Sequence, residues 1–188
     1  MIKAFIIIPA KADSKRLVGK NKRVIAGKTL VEHSIEYAKN SKLAGKVLLS
    51  TEDEETRNIA ESYGVEVVGR TVDYMGEREV ADVYIKIFQD YGDDTFTHVV
   101  GVQPDHPDRS VTLTGCLEYM IENYYDDLIT VTNRNGDPNA FQRSGSVRIF
   151  KYNHLMAGHV SKRIGCVKCE ATDIHYEKDL ELARKNLK

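Results

Sequence analysis

At 188 residues, with 41% hydrophobic and 29% charged positions, the chain is long enough to bury one continuous core and short enough to read as a single domain, 1–188. A formal net charge of −1 provides no overall field for nucleic acid or an anionic membrane. No apolar run reaches the roughly 18 residues of a membrane span, and the opening Met-Ile-Lys-Ala-Phe-Ile-Ile-Ile is too short and abrupt for a signal peptide, so the chain reads as cytoplasmic.

Residues 4–9 are an apolar run ending at Pro9 and read as a buried strand. The loop that follows, 10–21, places Lys11, Lys15, Arg16 and Lys20 among small residues that include Ser14 and Gly19. Like charges this close repel, and an arriving phosphate relieves the repulsion. Backbone N–H groups of such a loop add donors for the same anion. The spacing is neither Gly-x-x-x-x-Gly-Lys-Ser/Thr nor Gly-x-Gly-x-x-Gly. A solvated basic turn is the competing reading, because surface lysines are common.

Thr29 can cap a helix running to about residue 40, with Leu30, Val31, Ile35 and Ala38 on one face. A strand is expected over 46–50. Next comes a helix opened by Thr51 or Asp53, with Glu54 and Glu55 in its first turn and Gly64 at its end, and then a strand over 65–68. The helix expected over 79–91 has the clearest periodicity, through Val80, Val83, Tyr84, Ile87, Phe88 and Tyr91, with Asp82 on its polar face. A strand over 98–102 precedes a helix over 111–125 with Leu113, Leu117, Met120, Ile121 and Tyr124 inward, and then a strand over 128–132. Residues 133–139 have turn chemistry and 145–150 read as the next strand. This alternation predicts an α/β fold with a largely parallel sheet flanked by helices. Three cysteines, an odd number, argue against a disulfide framework, and Cys166-x-x-Cys169 lacks the partners a zinc site needs, so it reads as structural or incidental.

Open parallel sheets bind ligands at the carboxyl ends of their strands. Gln103-Pro104-Asp105-His106-Pro107 follows the strand at 98–102 directly, which makes Asp105 a candidate for metal or phosphate chemistry; capping of the next helix is the alternative. Arg148 alternates with Val147 and Ile149, so it points off the core face and suits either solvent or a carboxylate.

The stretch from Ile8 to Val31 resembles, without a gap, the amino-terminal signature of the CMP-sugar synthetases, the cytidylyltransferases that make CMP-Kdo and CMP-acylneuraminates. That signature runs Ile-Pro-Ala-Arg-x-x-Ser-x-Arg-Leu-Pro-Gly-Lys and then Gly-Lys-Pro-Leu/Met-Ile; Lys11 replaces its arginine and Val18 its proline. Gln103–Arg109 is a hybrid of the motifs of the two branches. Thr172–Glu181 resembles the closing Asp-Ile/Val-Asp-Thr-x-x-Asp-Leu: Asp173 and Asp179-Leu180 are kept, and His175 stands at the second acid.

The resemblance implies a Rossmann-like nucleotide-diphospho-sugar transferase type of fold, CTP as substrate, Mg2+ as cofactor with Mn2+ open, and a small acidic acceptor. It implies Lys11, Arg16 and Lys20 as the catalytic cations and Ala10, Lys11, Ser14, Lys20, Asn21, Arg70 and Gln103 as nucleotide-binding. Asp105 and Asp173 fall at the metal, and Gln103, Arg143, Ser144 and His175 at the acceptor. Gln142-Arg143-Ser144-Gly145 departs from the family's Arg-Pro-Asn-Gly, and the family's long dimerising excursion is nearly absent, which leaves a homodimer open. The implied acceptor is a 2-keto-3-deoxy sugar acid such as a nonulosonic acid. Alternatives are a phosphonate or other small acid, or a catalytically weak nucleotide- or partner-binding domain.

Overall fold

The computed structural model describes residues 2–12, 14–70, 80–158 and 161–187. The expected start of a helix at Glu79 and the stretch Thr71-Val72-Asp73 lie outside them.

The first strand, β1 (Ala4–Pro9), is buried at every position but its last. Its side chains alternate between two cores. Ile6 and Ile8 join the core built from α1 (Leu30–Lys39), α2 (Glu54–Ser62) and α4 (Leu113–Glu122). Phe5 and Ile7 join the core on the opposite face, under α3 (Val80–Tyr91) and the short α5 (Tyr152–Met156). There Phe5 meets Phe88 and Phe96 edge-on, with ring centroids 5.1 and 5.2 Å apart. A strand apolar on both faces therefore sits in the middle of a three-layer sandwich.

Among the described residues the main sheet has seven strands, in the order β5-β4-β1-β6-β8-β7-β9. Strands β4 (Ala44–Thr51), β5 (Glu66–Gly69) and β6 (His98–Val102) run parallel to β1, and β9 (Ile164–Lys168) runs parallel to β7 (Asp127–Arg134). Of these seven described strands β8 (Asp137–Lys151), inserted between β6 and β7, is the one antiparallel to its neighbours. A separate two-stranded ribbon pairs β2 (Val24–Ile25) with β3 (Lys28–Thr29). The chain leaves β1 for β4 on one side, and β6 pairs on the other, so the carboxyl ends of β1 and β6 frame a topological switch point.

The caps expected from sequence form. Thr29 and Glu32 make a reciprocal capping box on α1, and Asp53, rather than Thr51, caps α2 through the Thr56 N–H at 2.8 Å. Thr112 caps α4, which is shorter than expected. Tyr124 consequently falls beyond the helix at φ 57° and is 76% exposed instead of inward. Tyr91, at the end of α3, is also exposed.

The expected turn over 133–139 is much tighter. Asn135 and Gly136, at φ 52° and 79°, form a two-residue hairpin, and the strands on both sides continue past the expected limits. The outer part of this ribbon is largely exposed and polar, so no apolar alternation marks it as strand. Cys166 is exposed on β9 and Cys169 is buried, and all three cysteines are free. A third small core of Leu17, Ile25, Leu30, Ile174, Leu180 and Ala183 ties the basic loop to α6 (Glu177–Asn186) and to the segment before it.

Candidate active site

The loop after β1 is anchored at several points. Ala10 N–H donates to the Ser50 carbonyl at 2.8 Å, and Ala12 N–H donates to Glu52 Oε1 at 2.9 Å. The buried Asn21 donates to the Lys11 carbonyl at 2.9 Å, and Leu17 is held in the third core. Gly19, at φ 64°, starts the 3-10 turn Lys20–Lys22, a left-handed position that suits a residue without Cβ. The result is a shaped cradle.

Lys11, Ser14, Lys15, Arg16, Lys20 and Asn21 line one side of a cleft of about 330 Å³, and Gln103, Pro104 and Asp105 line the other. Residues from the ends of β1 and β6 thus converge at the switch point. Lys11 and Asn21 also border a smaller hollow of about 220 Å³ with Val18, Gly19 and Lys22. Ala10 lies buried behind the loop. Arg70, at the end of β5, sits beside Glu52, with Nε 3.6 Å from Oε2. Glu52 therefore serves the Ala12 N–H and Arg70 together, a link that sequence reasoning missed.

At the floor of the cleft Lys20 Nζ lies 2.6 Å from Asp105 Oδ2. The other oxygen, Oδ1, is 3.0 Å from His106 Nδ1. Burial pushes the Asp105 carboxyl up, but the His106 and Lys20 contacts outweigh it and hold the group well below the usual carboxylate range. His106 is buried, and its Nε2 is 3.9 Å from Asp173 Oδ1. Asp173 Oδ2 in turn meets His175 Nε2 at 3.0 Å. One ligand atom each from Asp105, His106 and Asp173 lies within 4.8 Å of the others.

The closing segment is fixed against the β6 side by backbone and side-chain bonds. Ile174 N–H donates to the Asp105 carbonyl at 3.0 Å, and Asp108 accepts from the backbone and hydroxyl of Thr172 at 2.8 and 2.7 Å. Asp179 accepts from the His175 and Tyr176 N–H groups and caps α6.

The acceptor candidates divide. Gln103 lines the cleft and donates to Tyr84 Oη at 3.2 Å. Ser144 turns its hydroxyl onto Thr130 at 2.7 Å, and Arg143 is exposed on β8; neither lines the cleft. Gly145 brings β8 back against the site, since a Cβ there would lie 4.0 Å from His106 Cε1. Arg109 is half-buried with its guanidinium on Ser146 Oγ and the Gln103 carbonyl and stacked over Tyr37, so it shapes the turn and stays out of the cleft. Arg148 pairs with Asp127 at 2.8 Å, the carboxylate-bound of its two expected states.

The family model described as cytidylyltransferase matches residues 5–138. The chain belongs to the cytidylyltransferase family. Among curated relatives it is 43% identical over 61 residues to the CMP-N,N'-diacetyllegionaminic acid synthase of Legionella pneumophila, covering 32% of this chain and 26% of that protein. It is 31% identical over 139 residues to the N-acylneuraminate cytidylyltransferase of Escherichia coli, covering 71% and 32%. The chain thus spans about a quarter to a third of these two relatives. A solved CMP:2-keto-3-deoxy-manno-octonic acid synthetase complexed with CTP superposes with a TM-score of 0.75 at 15% identity, covering 98% of both chains, and shows the shared fold. Among the described residues no helix is long and apolar enough to cross a membrane.

The donor set at Asp105, His106 and Asp173 fits a divalent cation. It offers two carboxylates, one on each side of the buried His106 ring.

Proposed function

We propose that residues 1–188 act as one nucleotidyltransferase domain that moves CMP from CTP onto a small acidic acceptor and releases pyrophosphate. The observation that carries this reading is the single cleft faced by Lys11, Lys15, Arg16 and Lys20 from one side and Gln103 and Asp105 from the other. Nucleotidyl transfer is mostly positioning and charge neutralisation, and no covalent enzyme intermediate is needed.

In this reading an acceptor oxygen attacks the α-phosphorus. The bond formed joins that oxygen to phosphorus, and the bond broken joins phosphorus to the oxygen bridging to the β-phosphate. Pyrophosphate leaves with the electron pair, and the acceptor proton passes to solvent. Lys11, Arg16 and Lys20 hold the triphosphate, Lys20 exchanging Asp105 for a phosphate oxygen. Ala10, Ser14, Asn21, Arg70 and Gln103 orient the nucleotide. Asp105 and Asp173 would hold the dication, Mg2+ or Mn2+, whose charge offsets that of the phosphates.

The relatives' names favour a 2-keto-3-deoxy sugar acid of the nonulosonic type as acceptor. A smaller acid such as a phosphonate has its own support, because the Ser144 hydroxyl is spent on Thr130 and a two-residue turn joins β7 to β8. The test is pyrophosphate release from CTP and a dication across a panel of sugar acids and phosphonates, with ATP, GTP and UTP as controls. CTP-selective release with one acid class supports the reading and names the acceptor. Equal release from ATP, or none from CTP with any acid, overturns it.

A further inference from the structure

We infer that Tyr84 is a positioning residue for the nucleotide: its hydroxyl, reaching from the core under α3, holds the Gln103 side-chain amide at the wall of the cleft and leaves the amide oxygen to meet the nucleoside part of CTP. The role rests on the nucleotide reading of the cleft and adds to it a residue that lies outside the cleft lining.

Tyr84 is 1% exposed and sits in the core of Phe5, Ile7, Phe88 and Phe150, with its ring edge-on to Phe150 at 6.4 Å between centroids. A purely apolar ring would fill that place, and a buried hydroxyl costs free energy unless it is hydrogen-bonded. Among the described residues its bond runs to Gln103, with Nε2 3.2 Å from Oη. Strand β6 is built to let the hydroxyl through. Residues 101 and 103 face the same side of the sheet, and a Cβ at position 101 would overlap Tyr84 Oη. Gly101 thus leaves the gap through which the ring tip reaches Gln103.

Gln103 is fixed at its backbone as well. Its N–H donates to the Ser146 carbonyl at 3.1 Å, and its carbonyl accepts from the Arg109 guanidinium. With Nε2 engaged by Tyr84, Oε1 is left without a hydrogen bond among the described residues, on a side chain that lines the cleft with Lys20 and Asp105. An amide oxygen accepts hydrogen bonds and repels phosphate oxygens, so it suits a hydroxyl or amino group of the nucleoside and not the triphosphate. Holding that oxygen in place before the ligand arrives removes an ordering cost from binding.

CTP and inorganic triphosphate are the probes, each titrated calorimetrically into the whole chain as wild type, Tyr84→Phe, Gln103→Leu and the double variant. Tyr84→Phe should weaken CTP about fivefold or more and leave inorganic triphosphate within about twofold, because the pair serves the nucleoside and not the phosphates. In the Gln103→Leu background the same change should add nothing to the loss of CTP affinity, the coupling expected of a residue that acts through Gln103. A second measurement needs no ligand and no change at position 84. The chain has three glutamines, and Gln89 and Gln142 are exposed. With 15N-labelled glutamine, the Gln103 side-chain amide protons, assigned by their loss in Gln103→Leu, should exchange with water at least about tenfold more slowly than those of the other two. Equal losses for CTP and triphosphate in Tyr84→Phe, a loss that persists in full beside Gln103→Leu, or Gln103 protons exchanging as fast as the exposed pair would each overturn the inference. A wild type that does not bind CTP overturns the nucleotide reading and this inference with it. CTP binding indifferent to Tyr84→Phe overturns the inference alone and leaves the nucleotide reading standing.

Discussion

Lys20→Met should tighten the binding of a free dication and weaken the binding of CTP, opposite effects from one substitution. Lys20 and Asp105 are 2.6 Å apart with side chains only 15% and 17% exposed, so this is a half-buried, charge-assisted pair. At that distance and an effective dielectric constant of about 20, the attraction is roughly 6 kcal/mol before desolvation. Desolvation of the two ions offsets most of this, leaving a net value of about 1 to 2 kcal/mol. A cation approaching Asp105 Oδ2 must first displace Nζ and lose that amount. Removing Nζ should therefore improve dication affinity by about tenfold, equivalent to about 1.4 kcal/mol. The same removal takes one cation from the phosphate cradle and should weaken CTP by about tenfold to a hundredfold. In the wild type CTP and metal should bind synergistically, because phosphate draws Lys20 away and frees Asp105. The assay is calorimetric titration of Mn2+ and of CTP, each alone and with the other present. Unchanged or looser dication binding in Lys20→Met, with synergy intact, would refute the reasoning.

Three further outcomes are expected. Glu52→Gln removes the charge that holds the Ala12 N–H and Arg70 together, so CTP affinity should fall severalfold with little loss of thermal stability; an unchanged affinity would return Glu52 to a purely local role. Gly101→Ala puts a Cβ 2.1 Å from Oη of the fully buried Tyr84, and should cost about 3 kcal/mol or more, seen as a fall in Tm of roughly 6 °C or more; a wild-type Tm would show that α3 can move off β6. His98 is pushed down from 6.5 to about 4, first by burial and then by Lys151. The unfolded chain therefore binds the extra proton between those values, and this stability is complete above pH 6.5 and lost as pH falls toward 4, by up to about 3 kcal/mol. Chemical denaturation at pH 7 and pH 4 should show a smaller difference in His98→Gln than in wild type, and equal differences would exclude His98 as the source.

What could be read in the chain is what local physics decides. The run Ile6-Ile7-Ile8 can only be a buried strand, Thr29 and Glu32 carry their own cap, and the spacing from Ile8 to Val31 carries the loop chemistry in one contiguous segment. The convergence of the basic loop with Asp105 was also accessible, because strands of a parallel sheet present their carboxyl ends at one edge. What escaped depends on contacts between distant segments. Lys20 and Asp105 are 85 positions apart, and Ala12 and Glu52 are 40 apart.

His106 shows the limit most clearly. In the chain it is a histidine between an aspartate and a proline, and nothing local marks it as a buried ring set between two carboxylates. Its meaning arises only when Leu17, Ile174 and Leu180 pack into one small core and carry Asp173 to within 3.9 Å of Nε2. The same packing gives Asp179 its part: by capping α6 it fixes the helix whose Leu180 completes that core. The convergence of Asp105, His106 and Asp173 is thus assembled by apolar contacts on their far side. A substitution such as Ile174→Ala should weaken Mn2+ binding in a calorimetric titration without removing any ligand of the proposed metal site; unchanged binding would show that the core does not position Asp173.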